Sequence, residues 1–185
     1  MRGSRGLLAV IMLLATVATI GACGRAPAAL HGQDQVGVTV LPPDQRVAIP
    51  AVSGTTLTGA HLSTADFTGK VVVLNAWASW CGPCRAEATQ LAKASAAAGA
   101  DVAFVGLDVS DAQPSASTFM SGHGLRYPSL FDPKGQLLAA LPGVPPQALP
   151  STLVLDPKGQ IAARVIGPIP AGVLPKLIAG ARHTQ

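Results

Sequence analysis

Two cysteines separated by two residues, Cys81-Gly82-Pro83-Cys84, are the residues whose type and spacing most directly suggest chemistry in this chain. A thiolate is a strong nucleophile and a disulfide is its natural electrophile, so a close pair can exchange two electrons with another dithiol. The apolar run Val71-Val72-Val73-Leu74 precedes the pair, and a helix-forming stretch from Arg85 to Ala98 follows it. The cysteines therefore fall where a strand buried on both faces gives way to a helix. Cys81 lies at or just before the first helical turn. Unpaired backbone N–H groups and the helix dipole favour an anion there and lower a thiol below its ordinary pKa of about 8.5. Cys84, one turn on, shares the same helix face. It can attack a mixed disulfide formed at Cys81, releasing the partner and closing the intramolecular bond. Pro83 sets φ for the helix start, where no N–H donor is needed.

The competing use of such a pair is half of a zinc site, which needs four ligands and commonly a second Cys or His pair. The four histidines, His31, His61, His123 and His183, are far apart, and no second pair exists. No metal is expected. The pair closes almost no loop, so stabilisation by loop closure is not its purpose. The expected redox group is the Cys81–Cys84 disulfide itself, with no bound cofactor.

The chain has 185 residues, room for one domain and an N-terminal appendage, and at 49% hydrophobic it can build a core. Of its 13 basic residues, Arg2 and Arg5 lie in a segment expected to be removed, leaving 11 against 9 acidic ones. That charge is too small and too scattered for a nucleic-acid partner. Arg2 and Arg5 form a positive leader, and the apolar run Leu7 to Ile20 is short for a spanning helix, which needs roughly 20 residues. Ile20-Gly21-Ala22-Cys23 resembles a bacterial lipobox. The resemblance implies a signal peptide over 1–22, lipidation of Cys23 and an anchor on the outer face of the cell membrane. It also accounts for the odd third cysteine. An ordinary cleaved signal peptide or an uncleaved anchor remains the alternative. Residues 23–45, with Pro27, Pro42 and Pro43, read as a flexible tether, and 46–185 as the folded domain, ordered from near Val47.

Further along, Asp66 to Lys70 reads as a turn, Val102 to Leu107 as a strand, and Ser115 to Ser121 as a second helix. A short strand is expected at Tyr127 to Phe131 and a short helix after it, to about Ala140. Ser151 to Leu155 and Ile161 to Ile166 read as a hairpin around the turn Asp156-Pro157-Lys158-Gly159. A last helix spans roughly Ala171 to Ala179, with Pro175 inside it, and Gly99 is expected to end the first helix as a C′ glycine. The sum is an α/β domain, a mixed sheet with helices on both faces.

The segment Gly69-Lys-Val-Val-Val-Leu-Asn-Ala-Trp-Ala-Ser-Trp-Cys-Gly-Pro-Cys-Arg-Ala-Glu87, with the later Leu149-Pro-Ser-Thr-Leu-Val-Leu-Asp-Pro-Lys-Gly-Gln160, resembles the TlpA/ResA-like branch of the thioredoxin superfamily. The resemblance implies a thioredoxin-like fold with an insertion before the strand that follows Pro150. It implies that Pro150 is a cis proline opposite the cysteines, blocking metal capture and offering backbone groups to a partner segment. An ordinary strand-start proline is the plainer reading. Glu87, the single glutamate of the chain, matches a glutamate that recurs near this branch's active site. Asn75 stands where cytoplasmic thioredoxins carry a buried aspartate. Burial would raise the Glu87 pKa and suit it to relay a proton to or from Cys84; a solvated glutamate near the helix N-terminus is the alternative. Trp80 and Leu149 are expected to face the partner. Trp77 is expected in the core, Arg85 in solvent and His123 in a loop without chemistry.

By this resemblance the expected activity is protein disulfide exchange outside the cytoplasm. The leading expectation is a reductase of exported proteins such as apocytochrome c, fed by a membrane electron donor of the CcdA/DsbD type. An oxidase using the same residues is the rival, and Gly-Pro between the cysteines leans towards reduction. A binding lipoprotein with a static disulfide is the alternative of another class.

Overall fold

A computed structural model describes residues 37–183, and the first of them already belong to the sheet. β1 (Gly37–Val40) pairs antiparallel with residues 163–166. The tether expected over 23–45 is thus corrected at its end, and the folded body begins before Val47. Two of the prolines that suggested a tether, Pro42 and Pro43, lie just after this strand, at the N-cap and start of a 3-10 turn at Pro43–Gln45; Pro27 lies outside the described residues. An edge strand of four residues is held by its backbone ladder rather than by an apolar period, and Val38 and Val40 are in fact exposed. The signal segment and Cys23 lie outside the described residues.

A small hairpin of β2 (Ser53–Thr55) and β3 (His61–Ser63) follows, separate from the main sheet. Then come β4 (Val71–Trp77), α1 (Gly82–Ala97), β5 (Val102–Val109), α2 (Gln113–Gly122), β6 (Ser129–Asp132) and α3 (Gln136–Ala139). The chain closes with β7 (Ser151–Leu155), β8 (Ile161–Ile166) and α4 (Leu174–Ala181). The main sheet has the order β1-β8-β7-β4-β5-β6, with β4, β5 and β6 mutually parallel and the β4–β7, β7–β8 and β8–β1 pairings antiparallel. Every residue of β4 is buried because the strand is central and covered on both faces. Val71, Val73 and Trp77 meet α1, α2 and α4 on one face, while Val72, Leu74 and Ala76 pack with Leu138 and Val144 on the other.

Two helix ends differ from expectation. Pro175 does not interrupt the last helix, because α4 starts at Leu174 and places the proline in its first turn, where the missing N–H is no loss. α1 ends without a left-handed glycine: Ala98 turns extended, and Gly99 is not among the glycines of positive φ. A closer constraint falls on Gly106 of β5. A Cβ there would lie 2.5 Å from Ser129 Oγ and 2.8 Å from Trp77 Nε1. The absence of a side chain lets the indole donate to Ser129 Oγ at 3.1 Å and stack on Phe119 with centroids 4.8 Å apart. Trp77 is thereby fixed at the end of β4, directly before the cysteine loop.

Candidate active site

The C-terminal end of β4 delivers the chain into Ala78–Cys81, and Cys81 is the N-cap of α1. Its Sγ accepts the Cys84 N–H at 3.2 Å, so the sulfur already occupies the place of a capping anion. Cys81 and Cys84 form a disulfide, with Cα atoms 5.3 Å apart, and both are buried. Beside them Trp80 is 62% exposed and donates its Nε1–H to the Ser110 carbonyl at 3.0 Å. Arg85 is exposed; it donates to the Ser79 carbonyl at 3.2 Å and lies 5.8 Å from the centre of the Phe119 ring. His123 rests on the same phenyl ring with Nδ1 2.9 Å from the Phe119 carbonyl, as the C-cap of α2.

Leu149-Pro150 is a cis peptide bond leading into β7. Pro150 is buried, and its carbonyl accepts the Gly167 N–H at 2.9 Å. Leu149 is half-buried and packs against the core on both sides of the sheet.

Behind the disulfide, the buried face of α1 carries Cys84, Glu87, Ala88 and Leu91, the spacing of one helical stripe. Glu87 is 4% exposed, not solvated. Its Oε1 accepts from Asn75 Nδ2 at 3.0 Å and its Oε2 accepts from the Ile169 N–H at 2.9 Å. Burial pushes the carboxyl's pKa above its usual range, against the opposing pull of those two donors. Asn75 also donates to Thr152 Oγ1 at 3.0 Å. Thr152 and Ile169 come from β7 and the β8–α4 connection, so one polar chain links three parts of the domain under the cysteines. Sequence reasoning missed both, and also Ser79, Asp108 and Asp111 beside the loop. Only the position of Thr152, two residues past the Pro150 turn, carried a signal.

The profile of the Redoxin family matches residues 44–177. The chain belongs to the Redoxin family. It is similar to the thiol-disulfide oxidoreductase ResA of Bacillus anthracis, at 31% identity over 116 residues, 61% of this chain and 64% of that protein. The chain spans from about half to just under two thirds of the length of the curated relatives it first matches. Solved structures are covered more fully. A DsbF homologue from Corynebacterium diphtheriae superposes with a TM-score of 0.76 at 34% identity, over 80% of this chain and 96% of that one. A secreted thiol-disulfide isomerase from Corynebacterium glutamicum gives 0.73 at 31%, over 83% and 96%. The expected thioredoxin-like fold and the resemblance to ResA are both upheld. ResA and the two structural neighbours are named for thiol–disulfide exchange, and in this chain Cys81 and Cys84 form a disulfide.

Proposed function

We propose that the protein is an extracytoplasmic reductase of exported protein disulfides, with Cys81 as the attacking cysteine and Cys84 as the resolving one. The observation that carries the reading is the disulfide at the N-terminus of α1, beside exposed Trp80 and above buried Glu87. On reduction, the Cys81 thiolate inherits the Cys84 N–H and the helix dipole. It attacks one sulfur of a client disulfide, and the client's other sulfur leaves as a thiolate. Cys84 then loses its proton and attacks Cys81 Sγ; the second client thiol leaves and the enzyme disulfide re-forms. Two electrons pass to the client, so an electron donor of the CcdA/DsbD type must reduce the enzyme again. The chemistry uses no further cofactor. Trp80 and Leu149 flank the client, Pro150 shapes the wall opposite the cysteines, and lipidated Cys23 holds the domain at the membrane. Apocytochrome c, whose haem-binding cysteines must be reduced, is the client class that the resemblance favours.

Glu87 takes the proton from Cys84, one turn before it on the same buried face. The carboxylate is held by two donors, whereas the acid has a proton of its own to place. Turning the Asn75 amide supplies the acceptor, and the Thr152 hydroxyl can then donate to Asn75 instead. Replacing Glu87 with Gln is expected to slow attack by Cys84 on the mixed disulfide by on the order of 100-fold and to flatten that step's pH profile. Unchanged cysteine pKa values and an unchanged resolving rate would refute the relay. The raised carboxyl pKa also sets a sign: the folded state holds this proton longer than the unfolded state, so stability falls as pH rises above about 4.5, the usual value. Glu87→Gln removes that fall, and its unfolding free energy relative to the parent should rise over that window.

The direction is tested by mixing the reduced protein with an oxidised peptide containing Cys-x-x-Cys-His, then following both partners by alkylation and mass spectrometry. A reductase leaves the peptide as dithiol and the protein as disulfide. An intact peptide disulfide, with reduced peptide rapidly oxidised by the disulfide form, would make the protein an oxidant.

A further inference from the structure

One carboxyl group beneath the cysteine loop is left out of the exchange chemistry. Asp108, on β5, lies level with Trp77 of β4 and Phe131 of β6 and is 0% exposed. Because β4 and β5 are parallel, this end of β5 lies where β4 runs into the cysteine loop. Neither Asp108 oxygen accepts a hydrogen bond. An ionised carboxylate in that state would bear a desolvation cost with nothing to offset it.

Its neighbours sharpen the conflict. Asp111, within hydrogen-bonding reach, and Asp132 on β6 both act on it with negative charge. These two are well supplied with donors. Asp111 accepts the Ser79 N–H, the Ser79 hydroxyl at 3.0 Å and the Ala112 N–H at 2.7 Å. Asp132 accepts the N–H groups of Gln136, Leu137 and Leu138 at 2.8–3.1 Å. Among the described residues, no cation from the helices on this face is paired with Asp108. Arg85 of α1 is turned to the Ser79 carbonyl and the Phe119 ring, and His123 at the end of α2 to the Phe119 carbonyl. On α1, Glu87 is engaged with Asn75 and Ile169. One arrangement removes the clash of charge: Asp108 keeps a proton and donates it to Asp111. Burial first, then the charges of Asp111 and Asp132, push its pKa up to about 8.

We propose that Asp108 is a neutral, proton-donating acid in the working enzyme, and that its shared proton with Asp111 forms a clamp positioning Ser79, Trp80 and Cys81. Asp111 grips Ser79 at both amide and hydroxyl. Between the two acids, Ser110 holds a positive φ of 51° and presents its carbonyl to Trp80 Nε1. The 108–112 segment thus latches the loop that carries the attacking cysteine. Ionising Asp108 places a second negative charge against Asp111 and loosens the grip, so the seat of Trp80 and Cys81 depends on pH through a group that is not a thiol. The inference rests on exchange at Cys81 and not on its direction.

The test uses the full chain as the disulfide, in which neither cysteine titrates and no client is needed, so its outcome is independent of the reductase assay. The Ser79 amide and the Asp108 carboxyl carbon are followed by NMR from pH 4 to 10. The expected result is a transition of both signals with a midpoint near 8. In Asp108→Asn, which keeps a neutral donor, the Ser79 transition should vanish. A Ser79 transition that persists in Asp108→Asn, or a Ser79 signal flat from pH 6 to 10 in the parent, would overturn the clamp. So would an Asp108 carbon titrating below pH 5, a reading that needs no variant to fold.

Discussion

Replacing Cys81 with Ser is expected to abolish disulfide exchange, a fall on the order of 1,000-fold or more. The serine hydroxyl keeps the N-cap geometry but stays protonated at neutral pH, so the anion that the helix terminus favours never forms. Cys84→Ser should behave differently. Its Cys81 still attacks, but the mixed disulfide has no resolving thiol and accumulates after one turnover, with client attached through Cys81. Intact mass spectrometry after rapid quenching distinguishes the two variants. A stable client adduct on Cys84 in Cys81→Ser, formed at the parent's rate, would reverse the roles assigned to the pair.

Replacing Arg46 with Ala is expected to cost about 3–5 kcal/mol of stability, the range for removing one partner of a buried ion pair. Arg46 and Asp156 are 4% and 1% exposed at their side chains, and Nη1 lies 3.1 Å from Oδ2. The same guanidinium donates to the carbonyls of Gly180 at 3.0 Å, His183 at 2.8 Å and Leu41 at 3.4 Å. It therefore ties the β7–β8 turn, the start of the domain and the last turn of α4, whose orphan carbonyls need donors. Asp156 also fixes that turn by accepting from Lys158 and Gln160. Because the connection before α4 supplies Ile169 to Glu87, loss of the tie should also raise the exchange rate of the Ile169 amide with solvent deuterium. Urea unfolding measures the main effect. A loss below about 1 kcal/mol would show that the pair is solvated in practice.

The proposed redox centre was legible in the sequence because its signals are local. Cys-x-x-Cys, the apolar run before it and the helix after it lie within one stretch, and Cys81 takes the N-cap position expected from that order. Of the two readings weighed for Glu87, the buried one is found: it shares the buried face of α1 with Cys84. What stayed hidden is held by contacts distant in sequence. Thr152 and Ile169 meet Asn75 and Glu87 only once β7 and the β8–α4 connection are in place. Asp108 resembled any polar residue ending a strand until its burial and its two acidic neighbours were seen together. β1 was read as tether because four residues followed by a proline pair give too short a pattern to reveal an edge strand. Pro175 misled for a related reason: a proline marks a helix start or a break, and only the chain's approach decides which.

The measurement that tests the account most directly is the reduction potential of the Cys81–Cys84 couple, by equilibration of the protein with dithiothreitol or glutathione buffers. A reductase of exported disulfides requires a value near or below about −250 mV, in the range of reducing thioredoxins. A value near about −120 mV, as in strong oxidants, would contradict the proposed direction and make the protein a disulfide donor.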